Sequence, residues 1–133
     1  CVSPVIVIVE YNSVFGPKNS WTTPYDKDFV RSSFHYSNLY YGSSLSSLCD
    51  LAEEKGYFLI GCNSNGNNAY FVRKDKMKEL KALTSEEGYV LSRFRESRDT
   101  NGRLSFLSGD ERLKVLHGLT VFNTKTNKPE QIS

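Results

Sequence analysis

The residues Glu10-Tyr11-Asn12 stand where an unbroken β-branched run, Val5-Ile6-Val7-Ile8-Val9, gives way to polar groups. Glu10 and Asn12 are two residues apart, so an extended backbone places them on one face. A carboxylate and an amide converging at a strand end can orient an acceptor hydroxyl or amine. Glu10 can act as a base there if its surroundings raise its pKa. The competing reading is a carboxylate that ties down a loop. His35 is the other candidate proton acceptor, and Trp21, Tyr36, Tyr40 and Tyr41 can stack on a sugar ring or another flat body. His117 directly precedes Gly118, which suits a group stabilising the last turn of a helix.

Other reactive residue types point to no chemistry. Cys1, Cys49 and Cys62 form no CxxC spacing, and with two histidines they make no zinc-binding pattern. Serines 43, 44, 46 and 47 lie outside any G-x-S-x-G elbow, which argues against a hydrolase. Arg93, Arg95, Arg98 and Arg103 alternate with Glu96 and Asp99. That pattern reads as a solvated, salt-bridged face, with an anionic ligand as the alternative.

The elements that would carry these residues follow from periodicity. Val5 to Val9 lacks alternation, the mark of a central strand covered on both faces, and ligands of open α/β sheets bind at the C-terminal ends of such strands. Residues 13 to 41 form a long irregular stretch rich in aromatics, with room for a helical turn over 26–33. A loop of that length is read either as functional or as pinned to the surface by its rings. Ser43 or Ser44 caps a helix that stops at Gly56, with Leu45, Leu48, Cys49 and Ala52 on one stripe. Cys49 is thus a core residue. Tyr57 to Cys62 and Ala69 to Arg73 flank the hairpin turn Asn63-Ser-Asn-Gly-Asn-Asn68. The strand and helix before them make a right-handed crossover onto the same sheet. Residues 74–81 read as a solvated connection. The capping box Thr84-Ser-Glu-Glu87 predicts a helix over 85–96, and Ser108-Gly-Asp-Glu111 a second, shorter one. Thr100-Asn-Gly102 is a turn, Leu119 to Asn123 a short strand, and the tail from Thr124 reads as flexible.

Composition bounds the possibilities. The 133 residues are 38% hydrophobic and 13% aromatic, enough for one small core, and the net charge of +2 is too mild to imply nucleic acid. No apolar run approaches the roughly 20 residues of a membrane span. Unpaired cysteines fit a reducing, cytoplasmic setting. A chain opening on Cys1 without methionine reads as a fragment.

Taken together, "VIVIVEYN", "TPYD", "YYGSSLSSLCDLAEEKGYFLIGCN" and "NNAYFVR" resemble the C-terminal half of a class I S-adenosylmethionine-dependent methyltransferase, more narrowly an FkbM-type enzyme or an uncharacterised relative. The resemblance spans residues 4 to 75. It implies an α/β fold, a three-layer α/β/α, partial Rossmann-like sheet ending in an antiparallel hairpin, with Val5–Val9 antiparallel beside Ala69–Arg73 and Tyr57–Cys62 outside. Residues 1–75 would be the half-domain and residues 76–133 a helical extension with a flexible tail. The family's glycine-rich loop and acidic strand end belong to its N-terminal half and have no counterpart here, so no cofactor is expected in this chain. S-adenosylmethionine is expected only for a full-length protein. The implied function is the acceptor side of a methyltransferase, inactive alone. Glu10, Asn12, Trp21, His35, Tyr36 and Tyr40 would then meet a sugar or another small hydroxyl acceptor. The partners would be the missing half or a second copy bound along the exposed sheet edge. The alternative is a non-catalytic binding or interaction module.

Overall fold

The computed structural model describes residues 2–133. Strand β1 (Ile6–Glu10) runs into a short 3-10 turn (Ser13–Phe15), followed by β2 (Trp21–Thr22) and the helical turn α1 (Arg31–Phe34). Helix α2 (Leu45–Glu54), strands β3 (Tyr57–Cys62) and β4 (Asn68–Arg73), and a 3-10 turn at Lys74–Lys76 complete the first part. Then come α3 (Ser85–Gly88), α4 (Glu111–Lys114), β5 (Thr120–Asn123) and β6 (Lys128–Gln131). The strands form two separate antiparallel sheets, ordered β1-β4-β3 and β2-β5-β6.

Local chemistry explains the regular pieces. Ser44 caps α2, its Oγ accepting from Ser47 N at 3.2 Å. Lys55 and then Gly56, at φ +84°, end it. In the hairpin, Asn63 Oδ1 accepts from Asn67 N and Asn68 N, each at 3.1 Å, which closes the turn between β3 and β4. The strand order is the one expected: Ile6 lies opposite Val72 and Glu10 opposite Asn68, with β3 on the far side of β4.

The three-layer architecture is not present. Helices α2 and α3 pack on one face of the first sheet, where Leu45, Tyr57, Leu59, Ala69 and Phe71 form a buried core with Tyr11. The other face is open. Ile6 is 56% and Ile8 59% exposed, so β1 is a half-covered edge strand rather than a central one. An apolar run without alternation could not distinguish these cases, because it specifies apolar side chains on both faces and not what covers them.

The helical extension is absent as well. The box at Thr84 forms in full, Thr84 Oγ1 accepting from Glu87 N at 3.1 Å and Glu87 Oε2 from Thr84 N at 2.9 Å. The helix stops at Gly88, though, and residues 89–97 follow without regular secondary structure. Side-chain bonds hold that path: Tyr11 Oη donates to Val90 O at 2.6 Å, Tyr89 Oη donates to Ser13 O at 2.6 Å, and Ser92 N donates to Ser13 Oγ at 2.9 Å. The second box makes only one of its bonds, Ser108 N to Glu111 Oε2 at 3.4 Å. The tail is ordered: β6 pairs with β5, and Ile132 is buried beside Trp21, Leu116 and Val121 in a second core. Leu119 to Asn123 therefore covers β2 and not the edge of β1.

Gly66 lies where two parts of the chain touch. Its φ is +71°, and an added Cβ would fall 2.6 Å from backbone atoms of Val90, Leu91 and Ser92. Gly102 also has positive φ, +77°, but faces open space. We expect Gly66→Ala to lower unfolding free energy by about 3 kcal/mol and Gly102→Ala by only about 1 kcal/mol. Urea denaturation at 25 °C measures both, and equal losses would show that the close approach to residues 90–92 contributes nothing.

Candidate functional site

The residues singled out by sequence part company in three dimensions. Glu10, at the end of β1, is exposed as a site carboxylate should be. Asn12 is completely buried: strand β1 ends at Glu10, and Asn12 caps the following 3-10 turn. Its Nδ2 donates to Leu39 O at 2.8 Å and to Tyr41 O at 3.0 Å, and its Oδ1 accepts from Val14 N at 3.0 Å. Both of its N–H groups and its oxygen serve the backbone, so buried at 0% exposure it holds loops together.

Trp21 and Tyr40 are likewise core residues. Trp21 meets Phe15 edge-on at 6.0 Å between centroids, and its Nε1 donates to Glu130. Tyr40 stacks on Phe34 at 5.4 Å and donates its hydroxyl to Thr120 O. Much of the aromatic content of residues 13–41, Phe15, Trp21, Tyr40 and Phe29, thus builds the second core, while Tyr25, Phe34 and Tyr36 remain exposed. His35 and Tyr36 stay nearer the surface, ring on ring at 4.4 Å. His35 Nδ1 lies 2.8 Å from Ser37 Oγ, and partial burial holds the imidazole pKa below its ordinary value.

A polar cluster gathers instead around Tyr41, next to the end of β1. The Arg31 guanidinium lies over the Tyr41 ring at 3.8 Å. It also donates to Asn38 O at 2.7 Å and to Glu96 Oε1 at 3.0 Å. Burial raises the Tyr41 hydroxyl pKa, Arg31 and Arg112 oppose that rise, and Glu10 and Glu96 reinforce it. The phenol is thus a neutral donor at pH 7 with a carboxylate, Glu10, in its field. Against the core of the first sheet, burial pushes the Cys49 thiol up to about 12 and raises Cys62 as well, so neither is an activated nucleophile. Among the described residues no group of three His, Cys, Asp or Glu is placed to hold a metal.

Of this cluster the sequence singles out Glu10 and, as a stacking ring, Tyr41. Arg31 and Arg112 carry no local signal, and Arg112 stands among the polar neighbours Asp110, Glu111 and Lys114.

No family model, no curated protein and no solved structure matches the chain.

Two outcomes follow. Asn12→Ala leaves two carbonyls and one N–H unpaired in the interior, so unfolding free energy should fall by about 3 kcal/mol, while Tyr36→Ala changes it by less than about 0.5 kcal/mol; urea titration compares them. For His35, the folded pKa lies below the unfolded value of about 6.5, so the unfolded chain binds the proton more readily. The His35 contribution is complete above that pH and is lost as pH falls from about 6.5 toward the folded value. His35→Gln should flatten the decline in urea midpoint between about pH 7 and pH 5.5; an unchanged slope would assign the decline to other groups.

Proposed function

We propose that the chain is the acceptor-side part of a methyltransferase-like domain, inactive by itself and completed by a separate cofactor-binding half. The observation that supports this reading best is the strand order. β1 and β3 run parallel, are linked through α2, and flank a reversed β4. That is the arrangement the family resemblance implies for the last three strands.

The free edge of β1 fits the same reading. Arg73 N donates to Val5 O at 3.0 Å and Tyr11 N donates to Asn67 O at 2.9 Å, so the odd-numbered residues bond to β4. Antiparallel alternation then turns the N–H and C=O groups of Ile6, Ile8 and Glu10 outward. Beside that edge an apolar cavity of about 510 Å³ lies between the sheet and α2, lined by Val7, Val9, Leu48, Leu51 and Ala52. A strand from the cofactor-binding half would take up those backbone groups and cover this apolar surface.

The chain's own residues do not fit S-adenosylmethionine. Its hairpin glycine, Gly66, packs against the backbone of residues 90–92 and so offers no cradle to a ligand. In this reading Glu10 and the neutral Tyr41 phenol orient a sugar or other small hydroxyl acceptor at the end of β1. The free thiols of Cys49 and Cys62 suit a reducing, cytoplasmic setting. No helix among the described residues is long and apolar enough to cross a membrane. A second reading, a non-catalytic interaction module, is favoured by the same open edge, which could receive a strand of another protein or of a second copy.

Calorimetry distinguishes the readings. The 133-residue chain should give no saturable heat with S-adenosylmethionine, whereas a polypeptide that includes the coding sequence upstream of Cys1 should bind it. Glu10→Gln in that longer protein should reduce methyl transfer without weakening cofactor binding. A longer protein that fails to bind S-adenosylmethionine would favour the interaction module.

A further inference from the structure

Arg112 is 2% exposed, yet no carboxylate accompanies it. None of the ion pairs among the described residues includes it. Its Nη1 donates to Ser92 Oγ at 2.7 Å, and its Nε is buried with no hydrogen-bond partner. The groups that act on it electrostatically are the phenols of Tyr89 and Tyr41, and burial pushes the Tyr89 hydroxyl up to about 12, so both are neutral at pH 7. A buried guanidinium without a counter-charge is an expensive feature, and buried charges are ordinarily paired.

The missing counter-charge has a place to sit. Arg112 lines a cavity of about 290 Å³ together with Ser92, Arg93, Arg95, Ser108 and Gly109. Leu91, Phe94 and Leu107 provide an apolar wall. Arg95 is anchored by Nε and Nη2 to Phe106 O, at 3.2 and 3.1 Å, and Arg93 is exposed. The walls are held in place. Ser92 N is fixed to Ser13 Oγ, and Ser97 Oγ accepts from Leu107 N at 3.0 Å and Ser105 Oγ at 2.9 Å. The acidic groups in this region, Asp110 and Glu111, are exposed, and Glu111 is engaged by Ser108 N.

We infer that this cavity is a binding site for a phosphomonoester, its phosphoryl group taking the guanidinium groups of Arg112, Arg93 and Arg95, with its organic body against Phe94 and Leu107. Three guanidinium groups suit a dianion better than a single-charged carboxylate, and arginine forks match phosphate oxygens. The apolar wall favours an ester over free phosphate. This site does not rest on the methyltransferase reading, because neither Glu10 nor Tyr41, the two groups that reading assigns to the acceptor, lines the cavity.

The test is calorimetry and thermal melting of the 133-residue chain with phenyl phosphate, inorganic phosphate and benzoate, at pH 7.5 and constant ionic strength so that screening of exposed arginines is equal. Phenyl phosphate should bind saturably and raise the melting temperature. Inorganic phosphate should bind about tenfold more weakly, and benzoate weaker still. Arg112→Met should fold at least as stably as the parent, since it removes an unpaired buried charge, and should lose the phenyl phosphate response. Should that variant fail to fold, Arg93→Ala/Arg95→Ala keeps the buried core intact and should weaken binding about tenfold or more. No saturable binding by the parent, benzoate binding as tightly as phenyl phosphate, or a full response in either variant would overturn the assignment.

Discussion

The buried carboxamide of Asn12 is the constraint on which the two halves of this structure depend. It sits between Tyr11, which belongs to the core under the first sheet, and Val14 and Phe15, which belong to the core under the second. Its three side-chain bonds draw the backbone at Leu39 and Tyr41 against the turn that follows β1, and Asn12 N adds a bond to Ser43 O at 2.8 Å. Amide groups buried this deeply are retained only when fully paired. Here the pairing decides where the chain returns after its long excursion through residues 13–41.

From that return point the rest is assembled. Ser44 N donates to Trp21 O at 2.7 Å, and Ser44 Oγ accepts from Trp21 N at 3.0 Å. The same residue therefore caps α2 and aligns β2. A set of small buried hydroxyls, including Ser20 and Ser46 with their oxygens 2.8 Å apart, fills a space that larger polar groups could not enter. β2 in turn offers an edge to β5, and so the last residues of the chain close on a segment near its beginning. The polar cluster around Tyr41 and the arginine cavity both lie along this seam between cores, where buried polar groups and loops converge.

The two sites differ in what holds them. At Tyr41 the charges are paired, Arg31 with Glu96, and the ring shields one side. At Arg112 the charge is buried and unpaired, beside Ser92, which accepts from its Nη1, and Tyr89, whose hydroxyl donates to Ser13 O. Solvation makes the difference: an exposed ion pair contributes little and costs little, whereas an unpaired buried charge strains the fold until something neutralises it.

The sequence by itself determined the span of α2, the hairpin at Asn63–Asn68 and the start of α3. Each is set by contacts within a few residues: a capping serine, an Asn-Gly turn, an apolar stripe of helical period. The pairing of β1 with β4, which joins residues as distant as Ile6 and Val72, was decided by tertiary structure, as were the burial of Asn12, Trp21 and Tyr40, the non-helical path of residues 89–97 and the ordered tail. Those outcomes depend on partners far along the chain, such as Glu130 for Trp21, Thr120 for Tyr40 and Ser13 for Tyr89. A polar or aromatic residue in a loop has the same local signature whether it waits for a ligand or for a distant carbonyl. Only the folded chain, by bringing that carbonyl within hydrogen-bonding distance, separates the two.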